Sequence, residues 1–182
     1  ELRSQVLEEL LIKSGFDFSE ISKNLAFLKD YKKDGIITSD DIAEAIPKTL
    51  QDNIFDLTQM ILQQNVDAAR SLVRDLTLQG EDEIKLIAIM LGQFRIFAQV
   101  KILFENGCNE SQIVADLSSY LGRKVNPFQI KYALRDVRSL QLDFLKKALA
   151  CLIETDYQIK SGVYEKGYLF DLALLKIATH NL

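Results

Sequence analysis

The longest apolar stretch of the chain runs from Glu81 to Asn106 and predicts a buried central helix. As an α-helix it would extend about 39 Å. Apolar residues occupy almost every side of it between Ile84 and Phe104, whereas a surface helix has a single apolar stripe. We therefore expect a helix inside a bundle, with neighbours on most sides. A membrane span is not expected, because only Leu86–Gly92 runs without a polar residue.

Two residues inside this stretch need an explanation. Gly92 lies mid-helix, where glycine costs about 1 kcal/mol relative to alanine, so we expect another helix to approach closely there. Arg95 is a cation among apolar neighbours. It either points outward to a partner or pairs with a carboxylate inside the bundle, and the sequence leaves both alternatives open.

Helical periodicity and capping residues predict nine further helices. Glycines at positions 15, 35, 80, 122 and 162 mark helix ends. No segment alternates with period two for long enough to predict a strand, so the expected fold is all-α. The predicted N-caps are Asp17, Thr38, Asn65, Asn109, Asn126 and Ser139, and the helices without a predicted cap are 2–14, 49–63 and 168–179.

The domain organisation is predicted from the position of Pro47. Residues 1–46 would form three short helices, and residues 47–182 would form about seven, of which the central helix is one. The chain opens on Glu1 rather than on a methionine, so we expect a piece of a longer protein.

Composition and charge argue against catalysis and against general nucleic-acid binding. The 182 residues carry a net charge of −4 and one histidine, His180, which we expect to be exposed near the chain end. Cys108 and Cys151 lack metal-ligand spacing and are expected to be buried, reduced thiols of a cytosolic protein. No nucleophile–base pattern and no glycine-rich phosphate loop occurs, so neither an active site nor a cofactor is predicted.

The segment 30–41 resembles a 12-residue EF-hand calcium loop. Asp30, Asp34 and Gly35 fall at loop positions 1, 5 and 6. However, position 3 is Lys32, which would repel Ca²⁺, and position 12 is Asp41 instead of the longer glutamate. The favoured interpretation is a helix end at Gly35 followed by an N-cap at Thr38, with no metal site.

Positive charge concentrates between residues 123 and 147. Within this segment Lys131, Arg135 and Arg138 follow i, i+4, i+7 spacing and share one helix face. A solvated face, a docking face for an acidic protein surface and a contact with DNA phosphate are the three alternatives, in that order of preference. The segment contains Arg123, Lys124, Lys131, Arg135, Arg138, Lys146 and Lys147 against Asp136 and Asp143.

Several motifs follow one another along the chain. They are NIFDLTQMI (53–61), the central segment GEDEIKLIAIMLGQFRIFAQVKIL (80–103), NPFQIK (126–131) and DYQIKSG (156–162). In this order they resemble the δ subunits of bacterial DNA polymerase III, the clamp-loader subunits that open the sliding clamp, and the central segment is similar to the corresponding helix of that family. In addition, GFDF (15–18) with ITSDDI (37–42) resembles the end of the family's small lid-like domain.

This resemblance implies a mechanical rather than a catalytic function. Residues 47–182 would be a clamp-loader collar that assembles with the γ/τ and δ′ subunits, preceded by a lid-like segment over 1–46. In that family the sliding clamp would be held by an AAA+-like N-terminal domain, which we do not expect within these residues, and the resemblance implies no ATP hydrolysis.

We therefore expect a cytoplasmic protein without a cofactor, a metal, a membrane contact or a DNA contact. A stand-alone helical adaptor and a calcium-binding module at 30–41 are the alternatives. The candidate subunit-docking residues are Arg95, Lys131, Arg135 and Arg138.

Overall fold

The computed structural model describes residues 4–14, 18–33, 35–122, 124–162 and 164–182. Of these residues 78% lie in ten α-helices, and none lies in a strand, which confirms the all-α prediction. In chain order the helices are α1 (Ser4–Lys13), α2 (Phe18–Tyr31), α3 (Ser39–Ala45), α4 (Leu50–Leu62), α5 (Val66–Leu78), α6 (Glu83–Glu105), α7 (Glu110–Leu121), α8 (Pro127–Val137), α9 (Leu142–Ser161) and α10 (Lys166–Ala178).

The chain packs as two compact units, Glu1–Asp52 and Asn53–Leu182. The division falls in the first turn of α4. A reciprocal pair of residues caps the start of this helix. The Asp52 carboxylate accepts from the Thr49 backbone N–H and hydroxyl at 2.9 and 2.8 Å, and the Thr49 hydroxyl accepts from the Asp52 backbone N–H at 3.2 Å. The predicted domain boundary at Pro47 lies slightly before this division and stays a prediction.

The first unit has a small core of its own, made where α1, α2 and α3 meet. Lys13 of α1 donates its Nζ to the carbonyl oxygens of Ile42 and Ile46 at 3.1 and 2.8 Å, so it satisfies backbone acceptors at the end of α3. The buried residues of this core are Val6, Leu10, Leu28, Ile42, Ala45 and Ile46.

Helix α6 is the centre of the second unit, as the sequence predicts. It packs against α7, α8, α9 and α10. Phe94 and Phe97 are fully buried and meet edge to face, with ring centroids 6.0 Å apart. By length and composition α6 alone among the described helices could cross a membrane, but half of its most apolar window is buried within the fold. A core helix of a globular domain has these same properties.

Gly92 does not mark a close helix approach, so that prediction is wrong. A Cβ built at Gly92 meets no heavy atom within 4 Å. Its neighbour Arg95 is exposed, and the far end of α6 is also partly open, since Ile102 and Phe104 are exposed. The apolar pattern predicted burial on more sides than the bundle provides.

Most predicted N-caps are confirmed by hydrogen bonds to the first turn. The side chains of Thr38, Asn65, Asn109 and Asn126 each accept from a backbone N–H two or three residues later. One cap prediction is wrong: helix α9 begins after Gln141 rather than Ser139, without a side-chain cap. The last helix, predicted roughly over 168–179, begins at Lys166, and Glu165 caps it by accepting from the Gly167 and Tyr168 N–H groups.

Two further predictions concern the ends of α1 and α2. Helix α2 ends at Tyr31, several residues before the predicted end at Gly35. The predicted end of α1 at Gly15 and the predicted N-cap Asp17 lie outside the described residues.

Candidate functional site: the cationic face of α8

Helix α8 divides cleanly into a buried side and a charged side. Asn126 caps its start, and Pro127 occupies the first helical position, where no N–H is needed. Lys131, Arg135 and Arg138, named here the α8 stripe, are all exposed on one side. The opposite side faces the core through Ile130, Ala133, Leu134 and Val137.

Each cation of the α8 stripe lies over an aromatic ring. The Lys131 ammonium is 5.8 Å from the centre of the Phe128 ring, and the Arg135 guanidinium is 5.5 Å from that of Tyr132. Arg138 reaches further, to the ring of Phe104 at the end of α6, at 6.0 Å. Cation–aromatic contacts of this length are attractive, so they restrict the rotamers of these long side chains.

The single carboxylate within α8 is nearly buried and pairs with one cation of the stripe, Arg135. The Asp136 side chain is only 7% exposed. Its Oδ2 accepts from Gln59 Nε2 of α4 at 2.6 Å, and its Oδ1 accepts from Arg135 Nε at 3.0 Å. Arg135 thus binds Asp136 through Nε, and the rest of its side chain is exposed to solvent. Helix α8 has no other carboxylate, so none is exposed beside the stripe.

A buried lysine supports the end of α8, and sequence reasoning missed it. The Lys101 side chain is 7% exposed, and its Nζ lies 3.3 Å from Glu105 Oε1 and 3.5 Å from the Arg138 carbonyl oxygen. A cation beside the last carbonyls of a helix is favourable because the helix dipole is negative there. The i, i+4 spacing of Lys101 and Glu105 was the available signal, but it normally indicates an exposed pair.

Arg95 does not join the α8 stripe. It is exposed, and none of the described carboxylates pairs with it, which resolves the two alternatives in favour of an outward orientation. Nine residues separate it from Phe104, which rotates the two positions by about 180° around the helix. Arg95 therefore lies on the side of α6 away from Arg138.

The EF-hand-like segment is organised by its own lysine. Asp41 Oδ2 accepts from Lys32 Nζ at 2.6 Å and from the Thr38 hydroxyl and backbone N–H, both at 2.7 Å. These hydrogen bonds, that of Lys32 above all, lower the pKa of Asp41 to about 2. Asp34 lies outside the described residues, and no group of three potential metal ligands occurs among those described. The capping interpretation of Thr38 is confirmed.

The remaining candidate residues are close to their expectations. His180 is exposed, and its ring stacks on Phe144 with centroids 4.3 Å apart. Cys108 and Cys151 are free thiols, not joined in a disulfide, and they are half-buried rather than fully buried. Burial raises the pKa of the Cys151 thiol, which keeps it protonated and poorly nucleophilic.

Comparison with known proteins identifies the family. The model of the family "DNA polymerase III delta subunit, C-terminal domain" matches residues 51–177. The chain belongs to this family. The matched range covers α5 to α9 entirely and nearly all of α4 and α10, so it contains the α8 stripe and the central helix.

A sequence comparison and a structural comparison agree with the assignment. The DNA polymerase III subunit delta of Bacillus subtilis (strain 168) is 32% identical over 164 residues, which are 90% of this chain and 45% of that protein. A solved structure of the Bacillus subtilis DNA clamp loader delta protein superposes with a TM-score of 0.82 at 28% identity, covering 98% of this chain and 51% of that one. The chain thus spans about half the length of the relatives it matches.

Proposed function

We propose that this chain forms the helical part of a non-catalytic clamp-loader subunit. In this role it assembles with the γ/τ and δ′ subunits, so that the sliding clamp can be opened and loaded onto DNA during bacterial replication. The observation that carries the proposal is the family match over residues 51–177. The similar fold of a protein named a DNA clamp loader delta protein supports it.

The proposed work is mechanical and takes place in the cytoplasm. Residues 47–182 would be the collar and residues 1–46 the end of a lid-like domain, while the clamp would be held by a part of the whole protein outside this chain. The bundle would need no active site, cofactor or DNA contact of its own, because its contribution is to hold neighbouring subunits in register.

The α8 stripe is the proposed docking face for an acidic surface of a neighbouring collar. Its support is physical: the three cations are exposed, each is held over an aromatic ring, and Asp136 faces the core. Arg95 is proposed as a separate docking contact, because it is an exposed cation on another side of the central helix.

Gel filtration with purified subunits tests the proposal directly. The chain is mixed with γ/τ or with δ′, and we expect it to elute with at least one of them as a complex. If the folded chain elutes alone with every subunit, the collar function is wrong and a stand-alone helical adaptor becomes the better interpretation.

Charge reversal tests the docking face. The variant Lys131→Glu/Arg135→Glu/Arg138→Glu should stay folded, with a lower melting temperature because Arg135→Glu removes the cationic partner of Asp136 and places a like charge beside it. It should slow association with γ/τ or δ′ by about tenfold and flatten its dependence on salt, because charges of this kind mainly steer the encounter. Stopped-flow measurements at two salt concentrations give both quantities.

A matched variant, Lys29→Glu/Arg74→Glu/Lys33→Glu, changes the net charge equally at exposed positions outside the stripe. It should associate faster than the stripe variant. Equal rates for the two variants would mean that only net charge acts, and that the stripe is a solvated face.

A further inference from the structure

One side of the central helix α6 stays open within the described chain. Helices α7 to α10 pack against α6, and its buried residues lie on the side of Phe94 and Phe97. On the other side three residues are exposed, namely Ala88, Arg95 and Ile102, and three are partly exposed. We name the six residues of this open side the α6 seam. They are Ile84, Ala88, Leu91, Arg95, Gln99 and Ile102.

The spacing of the α6 seam is that of a surface on which another helix packs. Successive members are four, three, four, four and three residues apart, which keeps them on one face of α6. From Ile84 to Ile102 the seam rises by about 27 Å, or five helical turns. A helix that lies nearly parallel to such a stripe contacts it at every turn. Two thirds of the seam is apolar, so its contact with water is unfavourable.

Arg95, near the middle of the seam, is its only charged member. None of the described carboxylates pairs with Arg95, and the seam itself contains no acidic residue. Lys85, beside the seam, is already bound to Glu81 at 2.8 Å. A docked helix would take Arg95 out of water, which is costly unless a carboxylate pairs with its guanidinium group. The partner helix therefore needs an acidic residue opposite Arg95.

The same charge argues against a second copy of this chain as the partner. In a parallel pair of α6 helices the two Arg95 side chains would face each other. In an antiparallel pair with Ile84 opposite Ile102, Arg95 would face Leu91, and the two guanidinium groups would lie about one turn apart. Neither arrangement supplies a carboxylate, and like charges repel strongly when both lose their water. The charge pattern therefore favours a different chain.

We propose that the α6 seam packs along a helix of a neighbouring clamp-loader subunit, whose contact side is apolar except for an aspartate or glutamate opposite Arg95. The inference rests on the proposed function and deepens it, because it gives Arg95 a place in an interface formed along the whole helix. The apolar members of the seam supply affinity, and the ion pair at Arg95 fixes the register of the two helices.

Added bulk beside the seam tests the contact separately from the fold. Gly92 borders the seam, a Cβ there meets no atom within 4 Å, and leucine is a better helix former than glycine. In the full subunit, Gly92→Leu should not lower the melting temperature. It should raise the Kd for γ/τ or δ′ about tenfold or more, mostly through faster dissociation. Ala115→Leu, the matched enlargement at an exposed position of α7, should leave the Kd unchanged.

Charge reversal tests the proposed ion pair. Arg95→Glu should raise the Kd about tenfold or more, because two carboxylates would then face each other. Arg95→Lys keeps the charge but loses the planar guanidinium group, so it should raise the Kd less. Arg74→Glu, the same charge change as Arg95→Glu at an exposed position of α5, should leave the Kd unchanged. Arg95 is exposed, so its variants keep the test valid if Gly92→Leu fails to fold.

Photo-crosslinking identifies what covers the seam. The amino acid p-benzoylphenylalanine is incorporated at the exposed position 85, beside the seam, in the full subunit. The subunit is irradiated alone and in assembly with purified γ/τ and δ′, and peptide mass spectrometry maps the products. We expect a crosslink, in the assembly only, to a helix of γ/τ or δ′ that carries an aspartate or glutamate on its contact side. A crosslink to a second copy, or to another part of the same subunit, would overturn the proposal.

The outcomes separate this inference from the function beneath it. If the wild-type complex forms and both Gly92→Leu and Arg95→Glu bind as tightly as the wild type, the α6 seam is not a docking surface and the proposed function stands. If no complex forms with γ/τ or δ′, both proposals fail.

Discussion

Single side chains hold the local geometry of the first unit, and Asp41 is the clearest case. Its carboxylate joins the capping box of α3 to Lys32 beyond the end of α2. One acidic group therefore secures both a helix start and the connection before it. A calcium loop would use the same carboxylate as a metal ligand, so the ammonium of Lys32 competes directly with any cation.

Acid should weaken the fold partly through Asp41. Its folded pKa of about 2 lies below its ordinary value of 3.8, so its contribution is present above about pH 4 and is lost as the pH falls towards 2. We expect Asp41→Asn to melt at a lower temperature than the wild type at pH 6. Its melting temperature should decline less between pH 5 and pH 2. Parallel declines in thermal scans by circular dichroism would contradict this role.

Alanine substitutions at two glycines should have opposite effects on stability, because the two glycines differ in backbone conformation. Gly92 lies inside α6, whereas Gly122 ends α7 with φ of 64°, and a Cβ at either position meets no atom within 4 Å. Gly92→Ala should stabilise the chain by about 0.5–1 kcal/mol, because alanine is the better helix former. Gly122→Ala should destabilise it by about 1 kcal/mol, since alanine is strained in the left-handed region. Urea denaturation measures both, and destabilisation by Gly92→Ala would contradict the open space found there.

At the scale of elements, α6 determines the second unit because the other helices bury their apolar faces against it. Its side chains Phe94 and Phe97 are fully buried. Phe94→Ala and Phe97→Ala should each cost about 3–5 kcal/mol through the cavity that remains. Tyr120→Ala on α7, where the ring is 77% exposed, should stay within about 0.5 kcal/mol. Similar free energies of unfolding for Phe94→Ala and Tyr120→Ala would refute the central position of α6.

At the scale of the whole molecule, the two compact units should differ in what they need to fold. The first unit has its own small core, and the second is built around α6. A fragment of residues 47–182, which keeps the Thr49 cap of α4, should melt cooperatively and lose only the helical signal of α1–α3. A fragment without a cooperative transition would show that residues 1–46 are required for the bundle, and that Pro47 is not a domain boundary.

The sequence by itself determined what depends on a few consecutive residues. The all-α fold, the central helix and the caps at Thr38, Asn65, Asn109 and Asn126 were predictable, because capping hydrogen bonds and apolar periodicity act within one or two helical turns. The shared face of the α8 stripe was predictable from i, i+4, i+7 spacing for the same reason.

Only the tertiary structure decided features that join residues far apart in the sequence. The contact of Arg138 with Phe104, the inward position of Asp136 beside Gln59 and the burial of Lys101 all depend on which helices meet. Periodicity shows that a side of a helix is apolar, but only the arrangement of its neighbours decides which part of that side is covered.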